Sequence, residues 1–135
     1  MKIPSFILLS SFSYLMFFTS CNKPPYTPDF NNVNGYVIGK ETCSTDDTKD
    51  YWLIDFTYDT NTPQYGDTLI LNGITYTNVI KTKDLDPKLK RIGLKVFIDF
   101  KIITPNKIET TGCNVINPIT YRLKEIFIIY QGEIR

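Results

Sequence analysis

In residues 94–102 every even-numbered position is apolar, while the odd positions between them read Lys95, Phe97, Asp99 and Lys101. A repeat of two is the side-chain period of a β-strand with one buried face and one wet face. A strand of that kind needs partners on both sides and a layer beneath it. The rest of the chain offers them. Alanine, the best helix former, is absent, whereas Ile, Thr, Tyr and Val recur. Residues 51–58 form a second candidate strand, with Trp52, Ile54, Phe56 and Tyr58 on the core face and Asp55 and Thr57 pointing the other way. Residues 33–41 read as a first strand interrupted by Gly35 and Gly39, a mark of a bulge or sharp bend.

A third strand spans residues 74–80, preceded by Leu69, Ile70 and Leu71 and by Asn72-Gly73, a two-residue hairpin signal. The last strand, residues 121–130, changes its apolar positions from odd to even around Lys124 and Glu125, as a bulge would. One short helix is expected over residues 84–93. Asp86 supplies a cap, Pro87 suits the first helical position, and Gly93 suits the left-handed residue past the end. Leu85, Leu89 and Ile92 then share a face that closes one end of the sheet.

Several function classes are disfavoured by what the chain lacks. Its His count is 0, which removes the usual proton shuttle and the commonest metal ligand. Lys and Arg number 15 against 14 Asp and Glu, so the net charge is +1, with no basic face for nucleic acid. Asp55, Asp99 and Glu125 read as outward solubility residues rather than a glycosidase pair. The run Ser44, Thr45, Asp46, Asp47, Thr48, Lys49 and Asp50 is rich in the hard oxygens that Ca²⁺ takes. With Lys49 inside it, and no glycine or distal glutamate at calcium-loop spacing, it reads as a solvated acidic turn. No metal, no cofactor and no enzymatic activity are expected.

The N-terminus reads as an address. Lys2 precedes an uncharged apolar stretch, residues 6–18, too short to span hydrocarbon and laid out like a signal peptide. Its end, Phe18-Thr19-Ser20-Cys21, resembles the lipobox of bacterial lipoproteins. The resemblance implies a signal peptide over residues 1–20, cleavage before Cys21, and lipidation of Cys21 with acyl chains such as palmitate. The domain would then hang outside the cytoplasm on a cell membrane or outer membrane. Residues 21–32, with Pro24, Pro25 and Pro28, form a tether that cannot build a core, and residues 33–135 form the domain.

The order strand, strand, strand, short helix, strand, strand resembles the oligonucleotide/oligosaccharide-binding (OB) fold, a five-stranded Greek-key barrel capped by a helix between its third and fourth strands. A small open β-sandwich of the same strands is the alternative. In an exported chain the remaining Cys43 and Cys113 form an even pair, and a disulfide is expected. The OB resemblance places their two loops on the same side of the barrel. OB domains stack ligands on strand-face aromatics, which makes Tyr51, Leu53, Tyr76 and Phe97 the candidate binding residues. The functional expectation is a lipid-anchored, non-catalytic module for a protein or glycan partner of the cell envelope. The alternatives are an assembly role and an inhibitor or immunity-type lipoprotein that presents residues 60–66.

Overall fold

The computed structural model describes residues 27–60 and 64–135. The proposed signal peptide, Cys21, most of the tether and part of the 60–66 loop lie outside the described residues. The described residues form six strands: β1 (Phe30–Lys40), β2 (Trp52–Asp55), β3 (Asp67–Leu71), β4 (Ile74–Thr82), β5 (Lys95–Ile108) and β6 (Leu123–Glu133). They form one mixed sheet in the order β2-β1-β5-β6-β4-β3, and a further β2–β4 pairing closes a ring through five of them. The ring is not an even barrel. Its β4–β6 contact is parallel and consists of the single pairing Lys81↔Glu125, whereas the other four junctions are antiparallel ladders.

The period-two pattern in β5 does what its sequence requires. Val96, Ile98 and Phe100 are fully buried, and Lys95 is exposed. They meet Val33 and Val37 from β1, Trp52, Ile54 and Phe56 from β2 and its end, Ile80 from β4, and Ile126 and Ile128 from β6 inside the ring. Phe56 and Phe100 stack at its centre, with centroids 5.7 Å apart and planes 1° from parallel. That stack explains Gly35, because a Cβ there would lie 2.6 Å from the Phe56 ring. The bulge in β1 falls one turn of the pleat later, where the register slips between Val37 and Gly39 and Ile38 becomes the extra residue.

The short helix expected over residues 84–93 is instead a single 3₁₀ turn, Pro87–Leu89, and no α-helix occurs among the described residues. The capping chemistry is as read: the Asp86 carboxylate accepts from Lys88 N at 2.8 Å, Pro87 opens the turn, and Gly93 has φ +86°. Helix growth stops because the following backbone is taken by β1, with Gly93 N donating to Val37 O and Val37 N to Leu94 O. Leu85 and Leu89 still close the end of the ring, but Ile92 is carried outside.

A sixth strand accounts for the other departure. Asn72 and Gly73 both have positive φ, as a tight primed turn demands, and they join β3 to β4 as a hairpin. This hairpin folds over the outer face of the ring. Leu69, Leu71 and Tyr76 pack there against Leu53, Val79, Leu123 and Ile38 in a second apolar layer, and Leu71 reaches to 3.2 Å from where a Gly39 Cβ would sit. The expected wet face of β2 is therefore covered. Leu53 is 0% exposed, Tyr51 is buried, and Asp55 is 1% exposed, so none is an outward residue.

The slip expected near Lys124 and Glu125 is real, but the extra residues lie in β5. There, Thr104 faces Glu125 and Ile108 faces Leu123, around Pro105, which has no N–H to give the ladder. A second slip, between Asp99 and Phe100, leaves the extra residue in β6.

Candidate functional site

Between the hairpin and the outer face of β1 lies a cleft of about 410 Å³ lined by Tyr36, Val37, Ile38, Asp55, Tyr58, Tyr76, Ile92 and Gly93. Each wall has a sequence cause. Tyr36 is an even residue of β1, opposite in phase to the buried Val33 and Val37. Asp55 ends β2 on the same outer side as Leu53. Tyr58 follows in the turn after β2 and is 75% exposed. Tyr76 comes from the hairpin, and Ile92 and Gly93 come from the segment tied to Val37.

Tyr36 and Tyr58 meet edge to face, with centroids 5.9 Å apart and planes at 85°. In the wall beside them, Asp55 Oδ1 accepts from Thr57 N and the Thr57 hydroxyl, whereas Oδ2 is buried with no hydrogen-bond partner among the described residues. An adjoining recess of about 180 Å³ shares Tyr36 and Tyr58 and adds Asn34, Asp59, Thr60 and Lys95.

The opposite end of β2 carries a polar network. Lys81, fully buried on β4, donates from Nζ to Glu41 Oε1 at 2.9 Å, to Thr110 Oγ1 at 2.8 Å and to Tyr121 O at 2.8 Å, so all three of its N–H donors are used. Glu41 also accepts from Tyr121 N and the Thr110 hydroxyl. The network fastens the long β5–β6 connection to β1 and β4, beside the disulfide. A saturated, buried ammonium has no donor left for a substrate.

Cys43 and Cys113 form a disulfide, with an S–S distance of 2.05 Å and Cα atoms 4.5 Å apart. A structural disulfide suggests an extracytoplasmic domain. The acidic run beside it works as local capping. Asp46 accepts from Thr48 N and its hydroxyl, which holds its carboxyl below the usual range, and Asp50 Oδ1 accepts from Cys43 N and Ser44 N. Among the described residues no cluster of three His, Cys, Asp or Glu side chains is arranged to hold a metal ion.

The four aromatic-face candidates do not converge. Tyr51 is buried, its hydroxyl donating to Glu125 Oε1 at 2.9 Å and its ring lying 4.6 Å from Lys81 Nζ and 4.5 Å from Lys83 Nζ. Burial, followed by that bond to Glu125, pushes its phenol well above the ordinary value. Leu53 is core. Phe97 packs on Tyr130 and over Gly132, on strands that contribute nothing to the cleft. Only Tyr76 reaches the cleft. Tyr36, Tyr58 and Asp55 were missed as site residues. The phase of β1 flags Tyr36, whereas the period of two runs past Asp55 and puts Tyr58 on the core face, although β2 ends at Asp55 and the chain turns. No family model matches the sequence, and comparison with curated proteins and with solved structures found no match.

Proposed function

We propose that this protein is a lipid-anchored module of the cell envelope that binds a protein or glycan partner without catalysing a reaction, on a domain of OB-like build. The ring strands, counted in chain order, run first-second-third-fifth-fourth and back to the first, with the third and fifth parallel. That order supports the OB-like reading, with β3 as an added hairpin strand and a 3₁₀ turn where the capping helix would stand. The tyrosine-lined cleft on the outer face of β1, β2 and β4 carries the binding reading, since an aromatic concavity of this size suits a small ligand or a side chain of a larger one. The Phe18-Thr19-Ser20-Cys21 sequence supports the anchor, and the disulfide supports its extracytoplasmic setting. The absence of His from the sequence and the saturated donors of Lys81 support a non-catalytic role.

A photo-crosslinking residue at position 58, activated in intact envelopes and paired with a glycan array, tests the reading. A discrete protein adduct or a bound glycan is expected, and neither appearing would overturn it. Loss of palmitate incorporation on Cys21→Ser is expected for the anchor; incorporation unchanged by that substitution would overturn it. One observation favours an assembly role as the second reading. β3 is the open edge of the sheet, and Ile70 and Ile74 on its hairpin are exposed. Adducts from position 70 but none from position 58 would support that role instead.

A further inference from the structure

Resting on the binding reading above, we infer that the cleft takes an organic ammonium group, with Tyr36, Tyr58 and Tyr76 as its aromatic walls and Asp55 as its counter-charge. The charge balance points to the sign of the ligand. Asp55 is almost wholly buried, and its Oδ2 has no hydrogen-bond partner among the described residues, although a carboxylate oxygen removed from water needs a donor or a cation. Among the described residues, no Lys or Arg lines the cleft. The adjoining recess brings one Lys95 and one Asp59, which offset each other and leave Asp55 as the unbalanced charge. The contrast with the polar cleft beside the disulfide is informative. Asp50 Oδ2 there also has no hydrogen-bond partner among the described residues, but Lys49 and Lys83 line the same space.

Ring geometry narrows the class further. Tyr36 and Tyr58 line the cleft with planes at 85°, so that with Tyr76 they bound it from more than one direction, and an aromatic cage holds a compact cation against negative ring faces. A pyranose would be better served by a single flat platform. A metal ion is a poor fit, because one carboxylate among phenols lacks the oxygen ligands that a hard cation requires. A quaternary ammonium headgroup and a protonated amino sugar share the recognised chemistry.

The test is a titration of the ¹⁵N-labelled full chain, held in a maltoside detergent, with two matched pairs of probes: choline against 3,3-dimethyl-1-butanol, and glucosamine against N-acetylglucosamine. Shifts confined to the cleft and at least about tenfold tighter binding of the cation in one pair or the other are expected, and the pair that shows it identifies the source as a headgroup or an amino sugar. Tyr58→Ala alters an exposed side chain and keeps the fold, and about a tenfold loss of cation affinity is expected from it. Asp55→Asn, checked for a native spectrum, is expected to abolish the preference for the cation. Equal binding of the neutral probe would overturn the ammonium assignment while leaving a binding module in place. No cleft shifts with any probe would overturn the ligand assignment, and the position-58 crosslink decides separately whether the module reading survives.

Discussion

Lys81 and Glu41 show how one buried pair can hold a long connection in place. Removing one member leaves the other charged group without its partner in a dry setting, so Lys81→Met is expected to cost about 3–5 kcal/mol in urea unfolding. The tyrosines give a second residue-scale signature. Burial, and secondarily the charges of Asp67 and Asp29, push the Tyr65 phenol up from 10.0 to about 12, and Tyr51 shifts in the same direction. The unfolded chain releases these protons first. Stability from these groups is therefore intact below about pH 10 and lost as pH rises from 10 toward 12. The fall in urea midpoint over that window is expected to be smaller in a Tyr51→Phe/Tyr65→Phe double variant. Neither feature was legible in the sequence: Lys81 and Glu41 look like ordinary surface residues until the long β5–β6 connection folds over them, and Tyr65 until it packs against Phe30 and Phe100.

At the scale of elements, the strands with a clean period of two were readable. β5 was right in its buried face, and Asn72-Gly73 marked the hairpin turn. Substituting Gly73, whose φ is +80°, with Val is expected to destabilise the domain by about 1–2 kcal/mol, measured as a drop in urea midpoint. What the pattern could not disclose was the destination of the hairpin. Period-two reasoning assigns one face of β2 to the core and the other to water. It has no way to register that the β3–β4 hairpin returns across the second face, because that depends on residues far apart in sequence, such as Leu53 and Leu71, joining one outer apolar cluster. The short helix failed for a related reason. Its caps are local and were read correctly, but the segment after Leu89 is claimed by β1, a tertiary demand that outweighs local propensity.

For the whole molecule, a five-stranded ring with only one parallel pairing at its β4–β6 junction leans on devices outside the sheet. The Cys43–Cys113 bridge, at a sequence separation of 70, ties the β5–β6 connection back to the end of β1. The chain-entropy relation gives about 4 kcal/mol for a loop of that size, so a Cys43→Ser/Cys113→Ser double variant is expected to lose a stability of that order by urea unfolding. The outer layer matters most for function, because without the hairpin lying across β1 and β2 the tyrosine cleft has no third wall and Asp55 returns to water. Methyl NOE spectroscopy on the full chain tests this directly. Strong contacts from Leu53 to Leu69 and Leu71 are expected, with Leu53 shielded from solvent; a Leu53 methyl pair in contact with water and with neither of those leucines would contradict it.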